Sequence, residues 1–136
     1  MRKDPDAADA QGPLPAASAG QPGYTPVPRR RQQLGGLLIA AAGVAIAGTA
    51  YRQAARDGQF LMLGAWMGPA FAVLGAALVA WPGYKEERLA RGERIDHLDG
   101  LALLTPRWKG VLAAALLAAA GFTLALRQGW LVAGAP

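Results

Sequence analysis

Cysteine and asparagine are absent from the 136 residues, serine occurs once, at Ser18, and histidine once, at His97. Without a thiol the chain has no cysteine nucleophile, no Cys zinc site, no thioether attachment for haem and no ligand for an iron–sulfur cluster. Disulfides are excluded too, so the sequence leaves the redox compartment open. Ser18 lies among prolines, alanines and glycines, a setting with no rigid scaffold to hold a base against its hydroxyl. The lack of Asn rules out N-linked glycosylation.

The other shortage is local. Overall hydrophobic content is 53% and the mean hydropathy +0.19, yet residues 32–51, 58–84 and 110–126 contain no Asp, Glu, Lys, Arg or His. As helices, twenty residues rise about 30 Å, the thickness of a bilayer hydrocarbon core, and seventeen rise about 26 Å, at the short end of a crossing. A soluble helix of this length would show a polar face every 3.6 residues. None is present: Leu34–Ala50 offers only Thr49, Phe60–Trp81 offers no polar side chain, and Gly110–Leu126 offers only Thr123. Much of each run is Ala and Gly. The leucines, valine and phenylalanine of 110–126 together contribute about −2 to −4 kcal/mol of insertion free energy, so neighbouring helices are expected to help hold the weaker spans.

The expected architecture is an all-α membrane protein with three transmembrane helices, a disordered N-terminal tail and a partly helical cytoplasmic loop. The tail is residues 1–31, with six of the ten prolines before Arg29 and no periodic apolar pattern able to offset its ordering entropy. Spans are expected at 32–51, 60–82 and 110–126, with a short external loop at 52–59, the charged loop at 83–109 and an external end at 127–136. Pro69 is expected to kink the second span. Thr105 and Pro106 read as the N-cap and first residue of the third helix. "RRRQQLGGLLIAAAGVAIAGTA" is similar to a twin-arginine export signal, but Gln33 stands where that signal prefers an aromatic residue and two further spans follow. Arg29, Arg30 and Arg31 are therefore read as topology signals.

Orientation follows from the cations. Five Lys and Arg in the tail and six in the 83–109 loop fall on one side, against two in 52–59 and one after the third span. Eleven against three places the N-terminus in the cytoplasm and the C-terminus outside, in a bacterial inner membrane by composition. A pI of 10.2 is then a consequence of topology. Glu86, Glu87, Glu93, Asp96 and Asp99 offset the loop's cations, which argues against nucleic acid as a partner. Membrane lipids are the expected partners instead, through Lys85, Arg88, Arg91 and Arg94 together with the tail arginines.

Glu93, Asp96, His97 and Asp99 are the only grouping with the composition of a catalytic or metal site. One imidazole with carboxylates at these spacings is a weak ligand set, and a solvent-facing loop turning at Asp99–Gly100 explains it equally well. No metal or cofactor is assigned. No ionisable side chain lies inside a span, so ion-coupled transport would have to use a backbone break at Pro69.

The second span carries Gly64, Gly68, Ala72, Ala76 and Ala80 at four-residue intervals, a small-residue stripe of the kind that lets helix backbones approach closely. Ala115, Ala119 and Thr123 form a similar stripe on the third span, and Gly36 with Ala40, or Gly43 with Ala47, a shorter one on the first. The function expected from these features is that of a non-catalytic accessory, assembly or interaction subunit, packing on other membrane-protein subunits or on itself. The alternatives are a small homo-oligomeric pore or transporter and, more weakly, a membrane enzyme acting on lipid headgroups through residues 93–99.

Overall fold

The computed structural model describes residues 25–95 and 97–133, and every regular element among them is helical. In chain order these are α1 (Arg29–Asp57), α2 (Met62–Ala80), the short α3 (Tyr84–Ala90), a 3₁₀ turn (Gly100–Ala102) and α4 (Pro106–Arg127). Helices α1, α2 and α4 are each long and apolar enough to cross a membrane, which fits a multi-pass membrane protein.

Helix α1 outlasts its apolar run at both ends. It begins at Arg29, where Arg31 and Gln32 donate backbone hydrogen bonds to the carbonyl of Pro28 (2.9 and 3.2 Å), so the tail arginines belong to the helix. Of the remainder of the expected tail, residues 25–28 are exposed and non-helical, and residues 1–24 lie outside the described residues. At the far end the expected loop at 52–59 is helical as far as Asp57. Arg, Gln and Ala are good helix formers; a charge ends an apolar stretch without ending a helix. The stop comes at Gly58, whose φ of 62° is the left-handed conformation that glycine adopts without a Cβ clash.

Helix α2 is continuous from Met62 to Ala80 through Pro69. The proline removes the amide that would have reached the carbonyl of Ala65, but packing keeps the helix whole. Helix α4 starts as its cap residues dictate: Thr105 accepts a hydrogen bond at its hydroxyl from the amide of Trp108 (3.4 Å), with Pro106 as the first helical residue. Thr105 is itself only 2% exposed.

The packing inverts the order of a soluble core. Ala50, Ala65, Ala77, Ala115 and Ala119 are buried, whereas Leu34, Leu38, Val44, Leu63 and Leu117 point outward. Small residues inside bring helix backbones together, and large apolar residues outside suit an apolar surrounding medium. Helices α1 and α2 run antiparallel: Gly36 meets Gly75 and Leu78 at one end, Gly43 meets Gly68 and Ala72 midway, and Gly64 meets Ala50 at the other. Helix α4 packs on α2, while α1 and α4 barely touch. The result is an open layer with α2 in the middle.

Candidate functional site

At the end where α1 begins, α2 ends and α4 begins, residues 83–95 and 97–105 form a folded cap. Helix α3 starts directly after Gly83 and closes with two bonds, Gly92 N–H to the Leu89 carbonyl (2.9 Å) and Glu93 N–H to the Arg88 carbonyl (3.2 Å). That paired closure requires a left-handed residue at position 92, and Gly92 supplies it with φ 76°. Leu89 is 2% exposed, so α3 is anchored by an apolar contact.

Arg88 turns inward from α3. Its Nη1 donates to Glu93 Oε2 at 2.7 Å and its Nη2 to the carbonyl of Leu104 at 2.9 Å, tying α3 to the approach of α4. Arg88, expected at lipid headgroups, makes both of these contacts inside the cap. With the side chain 15% exposed, its charge is spent inside the cap, because a planar guanidinium can hold a carboxylate and a carbonyl at once. Glu93 is held by the same pair. Arg91 pairs with Glu87 one turn away (3.3 Å), Lys85 is half-buried, and Arg94 is exposed.

His97 and Asp99 are exposed, and Asp96 lies outside the described residues. Among the described residues no three His, Cys, Asp or Glu side chains are grouped to hold a metal ion.

Two adjoining recesses do gather chemistry at this end. The first is a cleft of about 400 Å³ lined by Arg29 and Gln32 of α1, Trp81 beyond the end of α2, Glu86 and Glu87 of α3, and Arg107 of α4. Gln32 reaches across to Glu86, its Nε2 donating to Oε1 at 3.0 Å, and Gln33 donates to the carbonyl of Val79 at 3.2 Å. Arg107 stands over the Trp81 ring, 5.8 Å from the centroid. The second recess is a groove of about 590 Å³ between α2 and α4, lined by Val73, Ala76, Ala77 and Ala80 on one side and Gly110, Val111 and Ala114 on the other. Trp81 and Arg107 line both, so the charged cleft opens directly onto the apolar groove.

The small-residue stripe of α2 is divided between its two neighbours. Gly64 and Gly68 are buried against α1, and the Ala72 backbone lies against Gly43; Ala76 and Ala80 are exposed and face the groove beside α4. Successive i+4 positions advance about 40° around a helix, so four steps carry the row about 160°, from the α1 side to the α4 side. The residues that continue the α1 contact are Gly75 and Leu78, at alternating steps of three and four. Ala115, Ala119 and Thr123 are buried on α4. Gly75, Trp81 and Arg107 do not stand out in the sequence; a search for alternating three- and four-residue spacing would have found Gly75. Comparison with protein-family models, curated proteins and solved structures finds no match.

Proposed function

We propose that this chain is a non-catalytic integral membrane component, an accessory or assembly subunit that packs against a larger partner within the bilayer. The observation that carries the proposal is the open layer: among the described residues α2 packs against both α1 and α4, while α1 and α4 have almost no contact with each other and keep outer faces. On those faces Gly48 of α1 and Gly121 of α4 have no atom within 4 Å of where a Cβ would stand. A partner backbone can approach closely there. In this reading the N-terminus and the 83–105 cap are cytoplasmic, and the membrane is a bacterial inner membrane.

Gly121→Leu tests the proposal without touching the packing of α2. A tagged chain extracted in mild detergent is expected to carry a stoichiometric heterologous membrane protein, and the Gly121→Leu or Gly48→Leu chain to lose it while keeping the same thermal stability. A wild-type chain that runs alone refutes the subunit reading. A homogeneous self-oligomer would bring the pore reading forward, with flux through reconstituted vesicles as its test.

A further inference from the structure

We infer that the cleft and the groove together form a binding site for one phospholipid with a primary-amine headgroup, a zwitterionic glycerophospholipid of the ethanolamine class. It rests on the membrane reading and is independent of any protein partner.

The charges in the cleft select the headgroup. Two guanidiniums, Arg29 and Arg107, and two carboxylates, Glu86 and Glu87, line one recess, and Glu87 also pairs with Arg91 at 3.3 Å. A headgroup that is itself neutral but divided, phosphate at one end and ammonium at the other, satisfies both signs; an anionic headgroup leaves the carboxylates opposed. Arg29 is the first residue of α1 and Arg107 the second of α4, so both guanidiniums stand at the positive ends of long helices, and neither first turn contains an acidic residue. That is where a phosphate is stabilised. Both carboxylates are on the first turn of α3, and Glu86 accepts a hydrogen bond from Gln32 of α1. An ammonium with three N–H donors can bond to carboxylates that a trimethylated one cannot.

The groove accounts for the rest of the molecule. It leaves the cleft at Trp81 and Arg107 and is lined beyond them by small apolar side chains of α2 and α4, a groove of about 590 Å³ open on its outer side. Trp81, 48% exposed at the junction, is placed at the depth where amphipathic rings mark the headgroup level. The same residues explain why Ala76 and Ala80 are not covered by a helix: their surface is the wall of the chain site.

The experiment uses the full chain in nanodiscs of phosphatidylcholine doped with equal amounts of phosphatidylethanolamine and phosphatidylglycerol. Native mass spectrometry after release counts the lipids retained. The expected result is one retained phosphatidylethanolamine, favoured about tenfold over either competitor. Arg107→Gln should lower its retention about tenfold, and the Glu86→Gln, Glu87→Gln chain should abolish the preference over phosphatidylglycerol. Ala114→Leu, at an exposed position in the groove wall, should lower retention of every lipid alike without changing charge. Retention in proportion to bulk composition, or retention indifferent to all of these substitutions, overturns the proposal. A chain that fails to enter nanodiscs at all would instead refute the membrane reading.

Discussion

A Cβ built on Gly68 would stand 2.6 Å from the amide nitrogen of Ala47 and 2.8 Å from its Cβ, so α1 and α2 are in contact at the level of their backbones. The same holds at Gly43, where a Cβ would meet the Gly68 carbonyl oxygen at 2.6 Å, and at Gly36, 2.8 Å from the Gly75 carbonyl. Backbone cannot yield as a flexible side-chain end does. Gly68→Ala is therefore expected to destabilise the protein by about 1–3 kcal/mol through overpacking. Gly68→Leu is expected to separate α1 from α2 altogether. Gly48→Ala is the control, since a Cβ there meets nothing and removes backbone entropy from the helix; it should be neutral or stabilising by up to about 1 kcal/mol. Thermal unfolding in mild detergent compares them, and equal midpoints for Gly68→Ala and Gly48→Ala would show that the close approach does not exist.

These contacts also change what a glycine substitution reports. A large residue at Gly64 or Gly68 damages the fold of the chain itself, because both are buried against α1. Loss of a partner in such variants would not locate the partner's binding face. Only positions with open Cβ space, such as Gly121, separate the two effects.

Arg88 holds the cap closed. Removing its guanidinium leaves Glu93 without its ion pair and the Leu104 carbonyl without its donor, at a cost of about 1–3 kcal/mol for a part-buried charged pair. Arg88→Met should accordingly raise hydrogen–deuterium exchange across residues 84–105 and leave α1, α2 and α4 protected. Arg88→Lys should not restore protection, because one ammonium on a flexible stem cannot span both acceptors in the fixed geometry of the fork. Unchanged exchange in Arg88→Met would mean that Leu89 and the cap of Thr105 suffice alone.

At the opposite end Arg127 of α4 lies 6.0 Å from the centroid of the Phe60 ring, which precedes α2. With Arg107 over Trp81, each end of the α2–α4 pair carries a guanidinium from α4 against an aromatic ring flanking α2. A double-mutant cycle on Phe60→Leu and Arg127→Gln is expected to give a coupling of about 0.5–1 kcal/mol, the range for a cation–π contact near solvent. A coupling indistinguishable from zero would mean that the contact adds nothing to α2–α4 association.

The three long helices were legible because absence of charge over seventeen or more residues is a strong and simple signal, and the start of α4 because Thr105 and Pro106 state it locally. Helix ends were less so. Residues 52–57 are polar enough to look like a loop, and only Gly58 marks the true stop. The α1–α2 contact was half legible: small residues were visible, but a fixed spacing of four follows a row that winds around the helix, whereas two antiparallel helices meet along alternating steps of three and four. The cleft was illegible. Arg29, Trp81, Glu86 and Arg107 are spread over nearly eighty residues, and their meeting depends on α1 and α4 both beginning where α2 ends.

The absence of native cysteine makes the proposed orientation directly measurable, since each introduced thiol is the only one in the chain. Gln59, Arg94 and Ala133 are exposed, the first and last at one end of the layer and Arg94 in the cap at the other. A membrane-impermeant maleimide is expected to label Gln59→Cys and Ala133→Cys in intact cells, and Arg94→Cys only after permeabilisation. Reversed labelling would invert the orientation, and labelling of Gln59→Cys and Ala133→Cys from opposite sides would refute three crossings. Neutralising Arg29, Arg30 and Arg31 to Gln tests the cause. It lowers the cation count on the cytoplasmic side from eleven to eight against three outside, so an orientation set by positive charge should survive. If the three substitutions alone flip the protein, the N-terminal arginines act locally on the first span, and the six cations of the 83–109 loop contribute little to its insertion.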